Sequence, residues 1–266
     1  MAVRRSSHTA GQGVHGEPAY VLHRYEWSES SLILELFTRN LGRVAVAAKG
    51  VRKPASAFRS VLLPFQPLLV SLGPQAQIRT LRGAEWAGGY AMPTGEPLLV
   101  GYYVNELLMR LLAREDVQPL VFDAYAQTLA FIAKHSGEKV AEPMLRVFEL
   151  ILLRALGVLP ALNHEALSMR ALQPGGYYML DPENGLMLQN TSTPPSLSRA
   201  RALPAQQWEQ IQQALDTDEE VLNTLPLAVE AVAVELKPAL RVLLNHHAGV
   251  ASLQTRKLML SLQKRA

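Results

Sequence analysis

Lys49, Arg52 and Lys53 stand within five positions of one another in "KGVRKPAS" (49–56), a stretch punctuated by Gly50 and Pro54. Side chains of this type and spacing break no bonds; what they can do is neutralise anions. Arg59 lies just beyond, and Arg43 opens the preceding apolar run "RVAVAAK" (43–49). Strand alternation sets Val44, Val46 and Ala48 on one face and Arg43, Ala45, Ala47 and Lys49 on the other. Arg43 and Lys49 are therefore expected to share an outward surface, where small residues between cations let a phosphate backbone lie close. Tyr25, Trp27 and Phe37 are near enough in sequence to stack bases against such a surface. The competing reading is an ordinary solvated loop.

Charge is distributed unevenly along the 266 residues. Residues 1–85 hold 11 Lys/Arg against 5 Glu, a net of +6, whereas the remainder carries 15 Lys/Arg against 18 Asp/Glu, a net of −3. A basic first third points to an anionic partner there, with nucleic acid the leading class. Other classes find little support. "GQGVHG" (11–16) matches a dinucleotide-binding string, but it precedes the first strand rather than opening a helix. No P-loop string is present. "DTDEE" (216–220) reads as a solvated connection, and His246–His247 point in different directions from a helix end. "NTS" (190–192) matches a glycosylation sequon that means little without a secretion signal. With no cysteine, neither a disulfide nor a thiolate metal site can form. No catalytic residues and no metal site are expected, and the chain reads as a non-enzyme without cofactors. Residues 1–16 lack the apolar stretch of a signal peptide and are expected to be a tail, which suits a cytoplasmic protein.

The elements that must position these cations change character once along the chain. "AYVLHRY" (19–25), "LILELFT" (32–38), "RVAVAAK" (43–49), "PLLVSLG" (67–73) and "QIRTLRG" (77–83) have the length and residue types of strands. Five such strands suit a small closed barrel. After "MPTGEP" (92–97) the period becomes helical. Helices are expected over "LLVGYYVNELLMRLLA", with Asn105, Glu106, Arg110 and Arg114 as its polar stripe, over "PLVFDAYAQTLAFIAKHSG" and over "EPMLRVFELILLRALGVLP". The third should run through the middle of a core, since only Arg146, Glu149 and Arg154 relieve its apolar surface. "PGGYYMLDPENGLMLQN" (174–190) reads as a hairpin around "DPENG". Helices resume at "AQQWEQIQQAL" (205–215), then in a long one bent or broken before Pro238, then in a last one with Ser252 as its N-cap. The class is α+β.

"ESSLILELFTRNLGRVAVAAKGVRK" (29–53), "LLPFQPLLVSLG" (62–73) and "LRGAEW" (81–86) resemble the amino-terminal OB-fold domain of the RecO family of bacterial repair and recombination mediators. The likeness continues in "FELILLRALGVLPAL" (148–162), "PGGYYMLDPENGLML" (174–188), "ALRVLLNHHAG" and "LQTRKLM". It implies a tail over 1–17, an OB-fold DNA-binding domain over 18–90 and a mainly helical domain over 91–266, with the hairpin inserted at 161–195. It also implies a nucleoid-associated protein that binds single- and double-stranded DNA and anneals complementary strands. With RecR it would help RecA replace single-stranded-DNA-binding protein (SSB). The family's cationic loop maps onto Lys49, Arg52 and Lys53, and the expected DNA-binding set is Arg43, Lys49, Arg52, Lys53 and Arg59. Many relatives hold zinc with four cysteines in the segment matching 161–190; here His164 cannot do so alone, so no zinc is expected, and packing of Tyr177, Tyr178, Leu186 and Leu188 should hold the hairpin. The acidic, Phe-ending tail of SSB is a family-level partner. Arg241, Arg256 and Lys257, beside Leu240, Leu244 and Met259, are the expected residues to receive it. The rival function is a non-catalytic adaptor with only incidental DNA contact.

Overall fold

The computed structural model describes residues 13–135, 138–189, 202–217 and 220–263. The "NTS" tripeptide and most of the expected tail lie outside them. The chain divides into two compact units: the described residues up to Pro93 with Leu112–Asp123, and Thr94–Leu111 with the residues from Ala124 onward.

The first unit is a closed barrel of β1 (Val14–Glu26), β2 (Leu32–Thr38), β3 (Gly42–Ala48), β4 (Leu68–Leu72) and β5 (Arg79–Trp86). Its strand order is β1-β2-β3-β5-β4, closing on β1, the OB fold that the resemblance implies. Every pairing is antiparallel except β3 with β5, where Val46 and Ala47 lie opposite Arg79 and Thr80. The first strand starts at Val14, inside the expected tail, because it serves two neighbours. Val14–Ala19 pairs with β4, and a register shift between Val21 and His23 lets Ala19–Glu26 run along β2. Alternate side chains fill the barrel, among them Val21, Leu34, Leu36, Val44, Val46, Val70 and Leu72.

Alternation would leave the other face of β1–β3 in water, but that face is covered as well. Tyr20, Phe37, Ala45 and Ala47 are all buried. Phe122, from α2 (Pro119–Lys134), packs its ring 5.4 Å from Phe37 and 5.5 Å from Tyr20. Gly42, at φ +69°, makes this cover possible. A Cβ built there would stand 2.1 Å from the Asp116 carbonyl oxygen, in a conformation that side chains resist.

In the second unit α3 (Glu138–Ala155) is the apolar centre: Val147, Phe148 and 150–153 are buried. It is joined there by α1 (Glu96–Leu111), α4 (Ala205–Leu215), α5 (Val221–Glu230), α6 (Ala233–His247) and α7 (Gln254–Gln263). None of the described helices is long and apolar enough to cross a membrane. The expected polar stripe of α1 is not wholly wet, since Asn105 is buried and accepts the Tyr125 hydroxyl at 2.6 Å. The long helix expected to bend or break before Pro238 is broken ahead of it, between Glu230 and Ala233. Pro238 sits in the second turn of α6, where it forfeits a single bond, to Val234, so α6 tolerates it.

A hairpin of β6 (Tyr177–Asp181) and β7 (Gly185–Leu188) gains a third strand, β8 (Ala202–Pro204), alongside β6. Asp181 Oδ1 accepts the backbone N–H groups of Glu183 and Asn184, which fixes the "DPENG" turn. Tyr178 and Leu186 are buried, but Tyr177 is half exposed and Leu188 only partly covered, so packing rests on the first two. The fully buried Trp208 donates its indole N–H to the Tyr178 carbonyl at 3.1 Å, and the Tyr178 hydroxyl accepts the Gln173 N–H at 2.8 Å.

Replacing Gly42 by Ala should lower stability by about 2 kcal/mol or more, from backbone strain and collision with residue 116 together. The urea midpoint would fall with an unchanged m-value; an unmoved midpoint would contradict the close approach.

Candidate nucleic-acid interface and tail pocket

Several cations of the first unit are committed to its own carboxylates. Glu35, 1% exposed, is held between Arg114 and Arg43, the latter at 3.3 Å. Arg43 Nε also donates to the Leu112 carbonyl at 3.1 Å, and its side chain is only 14% exposed. The expected outward surface shared by Arg43 and Lys49 is thus corrected: residue 114 bridges to Arg43, and the Arg43 end of the face is closed. Arg39 forms a two-pronged pair with Asp123 at 2.8 and 2.9 Å, and that bond raises its pKa further. Arg79 is buried beside Glu115. Phe37, expected among the base-stacking aromatics, is fully buried.

An exposed group follows β3. Lys49, Arg52, Lys53 and Arg59 are exposed, and so are Tyr25 and Trp27. Gly50 turns the chain at φ +71°. Arg52 ties this loop to the β1–β2 turn: its guanidinium donates to the Ser28 carbonyl at 3.3 Å and lies 3.4 Å from Glu26, while its N–H reaches the Ser30 carbonyl at 3.0 Å. Lys49 and Lys53 have no ion pair among the described residues, and they line a hollow of about 370 Å³ with Trp27 and Ser31. Arg52 is the brace and the two lysines are the open charges.

The second unit brings four helices around an apolar pocket of about 230 Å³. Helical spacing supplies each wall: Glu142 and Arg146 from α3, Lys237 and Arg241 from α6, Arg256 and Met259 from α7, with Tyr103 from α1. Two of the four cations are neutralised from beneath. Arg146 pairs with the fully buried Glu149 at 2.9 Å, and Lys237 pairs with Glu142. Burial pushes the Glu149 carboxyl up, against the pull of Arg146, and Tyr103 donates its hydroxyl to it at 2.5 Å. Arg241 and Arg256 remain without an ion pair among the described residues. Burial depresses the Arg241 pKa, and the neighbouring Arg256 charge depresses it further, against the pull of Glu149. Of the expected tail-binding residues, Arg241 and Arg256 meet here with Leu244 and Met259. Lys257 is exposed outside the lining, and Leu240 is buried. The sequence reading missed Tyr103, Glu142 and Arg146; the signal was acid and base at i, i+4 and i, i+3 on the otherwise apolar α3.

The α7 wall is capped from a distance. Ser252 does not fill the expected N-cap role. Instead the Glu106 carboxylate accepts the N–H groups of Gln254 and Thr255 at 2.9 and 2.8 Å, the Thr255 hydroxyl at 2.7 Å and Arg110 Nε at 2.8 Å. A carboxylate on these donors complements the positive end of α7.

Family models described as "Recombination protein O N terminal" and "Recombination protein O C terminal" match residues 14–90 and 92–257. The chain belongs to the RecO family. It is 52% identical over 256 residues to the DNA repair protein RecO of Delftia acidovorans, covering 94% of this chain and 97% of that protein. It is 49% identical over 254 residues to the DNA repair protein RecO of Polaromonas sp. strain JS666, covering 96% and 99%. A role in DNA repair and recombination follows from that membership.

Burial alone would raise the Glu106 pKa, but the bonds from Thr255, Gln254 and Arg110 outweigh it and hold the pKa below the ordinary glutamate value. A carboxylate whose pKa is lower folded than unfolded stabilises the fold above its unfolded value, and that contribution is lost as pH falls through the folded one. Glu106→Gln should therefore be less stable than the parent at pH about 7, with the gap closing below about pH 4. Denaturation midpoints across pH test this; a gap independent of pH would contradict it.

Proposed function

We propose that this chain is a non-catalytic recombination mediator that binds single- and double-stranded DNA through Lys49, Lys53 and Arg59, with Arg52 bracing the loop, and anneals complementary strands. Acting with RecR in the cytoplasm at the nucleoid, it would help RecA replace SSB. The observation that carries the reading is the pair of exposed lysines at the end of β3, with no carboxylate partner among the described residues. Annealing needs no bond chemistry: two polyanions repel, and a surface that neutralises phosphates while leaving base edges free lowers that repulsion. An adaptor that recruits repair proteins is the alternative, and it would bind DNA weakly with little dependence on salt.

If Lys49, Lys53 and Arg59 meet phosphates, log K for a single strand should fall against log[salt] with a slope of about −2. Replacing Lys49, Arg52 and Lys53 by Ala should flatten it to about −1. An unchanged slope in the triple variant would refute the assignment. Arg43→Ala should instead leave the slope alone and lower stability, because it strips a partner from buried Glu35.

The pocket between Arg241 and Arg256 suits the tail of SSB, an acidic peptide ending in Phe. Its apolar lining would take the ring while the two guanidinium groups meet carboxylates. A tail peptide measured by fluorescence anisotropy should bind the Arg241→Ala, Arg256→Ala double variant at least about tenfold more weakly, since hydrogen bonds to charged groups contribute about 1.5–3 kcal/mol each. Lys257→Ala should leave the affinity unchanged. Equal binding by the double variant and the parent would refute the placement.

A further inference from the structure

We propose that the hollow between Trp27 and the 49–53 loop holds one unstacked nucleobase against the indole with its phosphate on Lys49 and Lys53, so that Trp27 makes this barrel prefer single strands to duplex. The inference rests on the phosphate-binding reading of that loop and adds a base-recognition element to it.

Trp27 follows the last residue of β1 and is 56% exposed; Trp86 is as open, but it is Trp27 that lines one hollow with the exposed cations Lys49 and Lys53. Its position is held by backbone rather than by packing. Its N–H donates to the Ser31 carbonyl at 3.3 Å, and the Gly50 N–H donates to Ser31 Oγ at 3.4 Å. The Arg52 bonds to Ser28, Ser30 and Glu26 complete the frame. The β1–β2 turn and the 49–53 loop are thereby tied together, and Trp27, Lys49 and Lys53 line the hollow between them. The volume of about 370 Å³ falls at the small end of sites that hold organic ligands. A planar base stacked on the indole leaves its phosphate near the lysines, and hydroxyls of Ser28, Ser30 and Ser31 line the same hollow. Duplex bases are already stacked and paired inside the helix, so a duplex can offer only its phosphates here.

Binding of dT oligomers, a duplex of equal length and an oligomer of abasic sites should be compared for the full-length parent, Trp27→Ala and Trp27→Phe, after circular dichroism has shown that each variant is folded. Trp27→Ala should weaken dT binding about tenfold, leave duplex and abasic binding unchanged, and keep the parent's salt slope; Trp27→Phe should retain most of the dT affinity. Equal dT affinity in Trp27→Ala and the parent would overturn the proposal, and so would an equal loss on all three ligands, which would make Trp27 a support for the loop. Lys49→Ala with Lys53→Ala should weaken all three ligands and flatten the slope. If that variant leaves the slope unchanged, the phosphate reading of the loop fails, whatever Trp27 does.

Discussion

A single buried carboxylate, Glu35, decides which of the barrel's cations can meet another molecule. Sealed at 1% exposure between Arg43 and Arg114, it cannot be left uncompensated, because removing one partner of a buried ion pair costs about 3–5 kcal/mol. Arg43 is therefore committed to the fold. The same holds in milder form for Arg39 on Asp123 and Arg79 beside Glu115. The cluster of cations left for an anionic partner sits where β3 ends, in the loop that begins at Lys49. Arg39, Arg43, Arg52 and Arg79 are thus engaged in ion pairs within the unit, whereas Lys49, Lys53 and Arg59 stand exposed together in one loop.

The second unit obeys the same constraint. Four cations surround its apolar pocket, and the buried acids Glu142 and Glu149 neutralise Lys237 and Arg146 from inside. Arg241 and Arg256 have no ion pair among the described residues, and they are close enough that the Arg256 charge disfavours that of Arg241. An arrangement of this kind stores electrostatic repulsion that an anionic guest would relieve. Glu106, acting across from α1, holds the helix that carries Arg256 in register with the pocket.

Much of the fold was legible because its local patterns were clean. "LILELFT", short, apolar and bounded by turn residues, is β2, and "AQQWEQIQQAL" is α4. The limits of legibility have physical causes. Alternation told which residues of β3 share a face, but not that residues 112–116 and Phe122 close over part of it, since that cover comes from some seventy residues further along the chain. Arg43 and Phe37 were misplaced for this reason. The cap on α7 was read as Ser252 because the local pattern suggests one, whereas the actual acceptor lies about 150 residues away. Arg241 and Arg256 were readable as a cationic pair; the acids that disarm their neighbours were hidden as ordinary helix charges on α3.

The central claim is that phosphate neutralisation by the 49–53 loop performs the annealing. It is tested most directly by the rate at which complementary strands anneal, with and without SSB coating them, for the parent and for the variant with Lys49, Arg52 and Lys53 replaced by Ala. The account predicts that the variant, folded and still binding the SSB tail peptide, anneals both bare and coated strands markedly more slowly. Annealing at the parental rate by that variant would contradict it.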